Sequence, residues 1–133
     1  MDDFGLAVAN AGDLDGDGLA DIAIASPGDG AGGRIFVFSR KNPPASWGTT
    51  NTWPAALTEA QANYVLTATA AYSGGAGSIQ PTSLARLGNF DGTGSDDLAV
   101  GFALHSGLTG GLLIVKGSAS FASMTIPDAT GTI

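Results

Sequence analysis

The amino-acid sequence predicts an all-β fold made of two copies of one strand-rich unit, and three observations carry that expectation. Only 13% of the 133 residues are charged, about half the share of an average soluble domain. Glycine accounts for 21 residues, and 44% of the chain is hydrophobic. Apolar runs are short and broken every few residues by Gly, Pro, Asn or Asp, as in chains of short strands joined by tight turns. Helix-period apolar stripes are scarce. The third observation is self-similarity: "GDLDGDGLADIAIAS" (12–26) aligns without a gap with "GNFDGTGSDDLAVGF" (88–102).

The likeness runs on beyond these segments. "GGRIFVF" (32–38) matches "GGLLIVK" (110–116), and "LTEAQANYVL" (57–66) matches "MTIPDATGTI" (124–133). Upstream, "LAVANAG" resembles "SLARLG". The chain therefore divides into residues 1–66 and 67–133. The two Asp-rich loops lie 76 positions apart, but the late segments only 67 apart. The first copy thus carries an insertion at about 40–52, with the Pro, Gly, Ser and Asn content of a surface loop. Arg40, Lys41 and Trp47 make it the most distinctive exposed feature.

Each element of a unit follows from its residues. Strands are expected around "GLAVANA", at "DIAIAS", at "GRIFVFS" and near "YVLTAT", with Gly-rich turns between them. "EAQANYV" could pass for a helical turn, but Asn63 and the β-branched run after it favour a strand edge. Trp53, aligned near Phe121, is expected to pack a strand edge, which leaves Trp47 as the better contact residue. A meander of this kind cannot bury both faces alone, so neighbouring units must stack on it.

The repeated loops have the chemistry of calcium sites. Calcium takes six to eight oxygen ligands from carboxylates, carbonyls and water. In "DLDGDGLAD", Asp13, Asp15 and Asp17 converge if the chain curls at Gly16 and Gly18. Leu19 would offer its carbonyl, and Asp21 closes the shell. An EF-hand needs Glu at position 12 and flanking helices; here position 12 is Ile24, inside a strand-like run. In the second loop Asn89, Asp91 and Thr93 take the first three places, Ser95 offers its carbonyl, and Asp97 closes the frame. Asp96 falls outside that frame and is expected to face solvent. Loop one has four carboxylates and loop two has two, so loop two should hold calcium more weakly. The alternative for loop two is a metal-free turn held by Asx hydrogen bonds.

The order Phe4-Gly5, "GDLDGDGLAD", Ala25-Ser26-Pro27 and "GGRIFVF" resembles the FG-GAP repeat of integrin α-subunit-like β-propellers. In the second copy the "FG" place is blurred and Gly101-Phe102-Ala103 stands for "GAP". The resemblance implies two four-stranded antiparallel blades of a β-propeller, with calcium in a loop between adjacent strands. Two blades do not close a ring. The partners it implies are other propeller blades, from the same chain in a longer parent or from homo-oligomeric copies, and a protein or glycan ligand.

Other features narrow the function classes. A formal net charge of -7 with no basic stripe argues against nucleic acid. There is no cysteine, so no disulfide framework, and no apolar run long enough to span a membrane. The first residues lack the basic and apolar regions of a signal peptide, and the chain reads as a piece of a larger secreted protein. His105 stands alone in a turn-like stretch, Glu59 is the sole glutamate, and no Ser-His-Asp set is suggested. The expectation is a calcium-stabilised, non-catalytic interaction or adhesion module of an extracellular or cell-surface protein. The alternatives are a self-assembling subunit that completes a ring or filament, and an accessory part of a secreted hydrolase or lyase.

Overall fold

Two hairpins of one design organise the chain, whose computed structural model describes residues 3–27, 33–41, 43, 53–68, 79–104 and 111–126. In the first copy β1 (Ala7–Gly12) pairs antiparallel with β2 (Asp21–Ser26), and β2 with β3 (Arg34–Phe38). β4 (Tyr64–Ala68) then pairs antiparallel with β3. In the second copy β5 (Ile79–Gly88), β6 (Asp97–Leu104) and β7 (Gly111–Val115) repeat the first three strands. The match extends to a register irregularity before each Asp-rich loop, between Asn10 and Gly12 and again between Arg86 and Gly88. Asn10 secures the first by accepting the Gly12 N–H on its side-chain oxygen at 2.9 Å. These five- to ten-residue runs become strands as expected. "EAQ" does not join one: Glu59–Gln61 form a single 3-10 turn. Gln61 Oε1 accepts both the amide and the hydroxyl of Thr58, a local pairing that outcompetes the strand edge.

Among the described residues the strands divide five plus three, where four plus four were expected. β8 (Met124–Ile126) joins the first sheet beside β4, giving the order β1-β2-β3-β4-β8, while β5-β6-β7 form the second sheet. β8 runs parallel to β4, with Leu66 opposite Met124 and Ala68 opposite Ile126. The reason lies in the unpaired backbone of β4, which an edge strand must satisfy somewhere. The connection back to the first sheet is fixed by Ser118 N–H on the Leu14 carbonyl and Val65 N–H on Ser123 Oγ. In the repeat alignment Met124–Ile126 correspond to Leu57–Glu59, so the counterpart of β4 falls at 131–133, outside the described residues.

The sheets stack around one core. Ala23, Ile35, Val37 and Leu66 of the first sheet meet Leu98, Val100, Phe102 and Val115 of the second, with Leu14, Phe121 and Ile126 closing the seam. Burying a side chain of this size contributes about 1.5–3 kcal/mol. The opposite face of the first sheet has its own cluster, Ile24, Phe36 and Phe38, packed by Phe4, Ile22, Trp53, Leu57 and Val65. Phe4 meets Phe36 edge to face at 5.6 Å. Trp53 therefore lies against a sheet face and not along a strand edge, because the outer face of "DIAIAS" and "RIFVF" is too apolar to stand alone. Among the described residues no helix is long and apolar enough to cross a membrane.

Candidate metal centre

The loop between β1 and β2 is wound by its own acid groups. Asp13 Oδ1 accepts the Asp17 N–H and its Oδ2 the Gly18 N–H, both at 2.9 Å. Asp17 Oδ1 accepts the Leu19 N–H at 2.7 Å. Asp21, the first residue of β2, accepts the Leu14 N–H on Oδ2 at 2.9 Å. Gly16 and Gly18 adopt positive φ within this curl. Asp15 faces inward and is fully buried; its Oδ2 accepts the hydroxyls of Ser39 at 2.5 Å and Tyr64 at 3.0 Å.

After these bonds, three buried carboxylate oxygens have no partner: Asp15 Oδ1, Asp17 Oδ2 and Asp21 Oδ1. Asp13, Asp15 and Asp21 each offer an oxygen within 4.8 Å of the others. Orphaned, buried and mutually repelling carboxylates are costly without a compensating positive charge. Burial, and then the nearby Asp15 charge, push the Asp21 carboxyl up to about 7. Burial, followed by its hydrogen bond to Asp15, pushes the Tyr64 hydroxyl up to about 12. An all-oxygen, multiply charged donor set of this kind fits a hard divalent cation. Asp13, Asp15 and Asp21 would hold it; Asp17, also expected as a ligand, falls outside that group and accepts the Leu19 N–H, and Leu19 lies on the exposed rim of the same loop.

The carbonyl oxygens at the start of this loop point the other way, toward the second copy. Asp13 O accepts the Asp96 N–H and Leu14 O the Ser118 N–H. Asp15 O accepts Lys41 Nζ at 2.7 Å, and the same ammonium reaches Ala119 O at 3.2 Å. Side chains turned inward and carbonyls turned outward make loop one part of the joint between the sheets.

Loop two, between β5 and β6, has the same frame in a different state. Asp97 Oδ2 accepts the Asp91 N–H and Oδ1 the Gly117 N–H, each at 3.0 Å. Asp91 Oδ1 accepts both the amide and hydroxyl of Thr93, and Lys116 Nζ lies 3.6 Å from Asp91 Oδ2. The Thr93 bonds, aided by Lys116, hold the Asp91 carboxyl below its ordinary value. Asn89 Oδ1 accepts the Gly94 N–H at 3.2 Å. Ser95 is buried against the joint. Every acid group in this loop is thus engaged by protein donors.

Asp96, expected in solvent, is instead a half-buried clasp. Its Oδ2 accepts the Asp13 N–H at 2.8 Å and Arg86 at 2.8 Å. The stacking of loop one on loop two turns this side chain inward. Ser39 and Tyr64 escaped the sequence reading because their role depends on β3 ending and β4 beginning beside loop one. Trp47 and His105 lie outside the described residues.

Comparison with known families matches residues 4–38 to the FG-GAP repeat. A comparison with curated proteins finds no match. The matched segment runs from Phe4, through the Asp-rich loop and β2, to the end of β3 at Phe38. Residues 4–38 of this all-β chain thus match the FG-GAP repeat, and the match ends with β3.

Proposed function

We propose that the chain is a calcium-stabilised, non-catalytic interaction module of an extracellular or cell-surface protein, built as two adjoining blades of a propeller-type stack. The observation that carries the calcium reading is the trio of buried, partnerless oxygens on Asp15, Asp17 and Asp21. Calcium suits the site better than magnesium, because a flexible loop with several carboxylates meets calcium's variable oxygen shell, whereas magnesium retains most of its water. The ion neutralises the carboxylates and fixes loop one, whose carbonyls hold the second sheet. Its role is structural. Loop two, with its acids already engaged, is a metal-free counterpart in this reading. Millimolar extracellular calcium matches the weak affinities of about 10⁻⁴–10⁻³ M found in extracellular modules.

Thermal unfolding with calcium and with chelator tests the proposal. Calcium should raise Tm, and Asp15→Asn should remove most of that rise. An unchanged melting curve on chelation would refute the calcium role. A second reading, that the module works by stacking on further blades, is favoured by the exposed apolar face of the second sheet, where Leu87, Phe90 and Leu112 are uncovered.

A further inference from the structure

We infer that copies of this chain dock head to tail, with Phe90 of one copy seated in the groove beside Trp53 of the next. This deepens the stacking reading and rests on it. The internal joint supplies the template. The register pairs Ala25 with Ile35 in the first sheet and Gly101 with Leu112 in the second, so Ile35 and Leu112 are counterparts in the fold, one residue off the sequence match of Ile35 with Leu113. Loop alignment likewise relates Ala11 to Leu87 and Leu14 to Phe90. In the first copy Ala11, Leu14 and Ile35 are 0% exposed, because the second sheet covers them. Their counterparts Leu87, Phe90 and Leu112 are 38%, 67% and 67% exposed. The second sheet thus repeats the covered face of the first, with larger side chains, and leaves it open.

The receiving surface is present too, on the far side of the first sheet. At the joint, loop one lies over Ser95, Asp96, Leu98 and Phe121 of the second copy. The counterparts of the first three are Leu19, Ala20 and Ile22, and Trp53 is aligned near Phe121. Ala20, Ile22 and Trp53 line a groove of about 400 Å³ together with Val8, Asn10 and Asp21, and Leu19 lies next to it in the chain. Val8 in the groove and Leu19 beside it are exposed, whereas Leu84 and Ser95, in the equivalent places, are partly or fully covered by the joint. The stacking is of unlike faces: the Ala23/Val37 side of one sheet meets the Leu98/Val115 side of the next. Such a contact is heterologous, and a second copy offers both halves of it. One element is lacking. Where Asp96 accepts the Asp13 N–H, the outer groove has Ala20, so the joint between copies forms without the carboxylate clasp and is the weaker one.

Sedimentation velocity across micromolar to millimolar concentrations tests this in calcium buffer. The wild type should associate as concentration rises. Phe90→Asp, at an exposed site with no cost to the fold, should weaken association by about tenfold or more. Ala20→Asp supplies the acceptor present at the internal joint and should tighten it by about tenfold. The proposal is overturned if wild type and Ala20→Asp both stay monomeric, or if Phe90→Asp associates as tightly as wild type. Calcium dependence is read by melting and association by mass, so each reading can fail separately.

Discussion

Asp13 and Asp96 exchange two hydrogen bonds across the joint between the repeats. The Asp96 amide donates to the Asp13 carbonyl at 2.9 Å, and the Asp13 amide donates to Asp96 Oδ2 at 2.8 Å. One residue belongs to the candidate metal loop and the other to its counterpart, so the pair ties the metal centre to the packing of the sheets.

That side-chain bond can be weighed by mutation. Asp96→Ala removes the acceptor for a half-buried amide and should destabilise the chain by about 1–3 kcal/mol. Arg86→Ala removes only the partly exposed partner and should cost less than about 1 kcal/mol. Urea unfolding of the two variants, at constant calcium, gives the comparison. Equal costs would show that the ion pair, and not the clasp, matters.

The Asp21 carboxyl should make the proposed calcium effect depend on pH. Its ordinary value is 3.8, and in the fold it rises to about 7. Between those values the folded chain holds a proton that the unfolded chain has lost, so this group's contribution to stability falls as pH rises. A bound cation takes the proton's place and removes the penalty. The rise in Tm on adding calcium should therefore be larger at pH 7.5 than at pH 5, and Asp21→Asn should flatten the difference. A larger rise at pH 5 would contradict the assignment.

Loop two should be indifferent to calcium. Asp97 is filled by two backbone N–H groups, and Lys116 stands by Asp91. Calorimetric titration should give one ion per chain. Asp91→Asn should leave the calcium-induced rise in Tm unchanged, whereas Asp15→Asn should remove most of it. A stoichiometry of two would show that calcium displaces these donors.

Two glycines separate close packing that can yield from packing that cannot. A Cβ at Gly117 would run into the Asp96 carbonyl oxygen and press on the Leu14 carbonyl, both backbone atoms of the joint. A Cβ at Gly101 would meet Ser83 Oγ, an exposed side-chain atom free to rotate away. Gly117→Ala should therefore lower Tm far more than Gly101→Ala, with overpacking costs of about 1–3 kcal/mol or more. Thermal melts of both variants decide it.

The repeat, the strands and the acid frame of loop one were legible because each is written locally. "DIAIAS" and "RIFVF" bury two faces as strands, and of the four aspartates on the Gly-punctuated turn Asp13, Asp15 and Asp21 come together as a group that could hold a cation. What escaped was set by contacts across long separations. Asp96 looked solvent-bound until loop one was laid against it 83 residues away. Ser39 and Tyr64 gained their place beside Asp15 only through strand register. The fate of "MTI" was decided by the open edge of β4, which local propensity does not see.

That edge has a consequence in time. β4 ends at Ala68, and the strand that covers it begins at Met124. At a synthesis rate of roughly 5–20 residues per second, the intervening chain takes about 3–11 seconds to appear. For that interval the finished first repeat waits on the ribosome with its last strand unsealed, and a chaperone or a neighbouring nascent chain has its opportunity there.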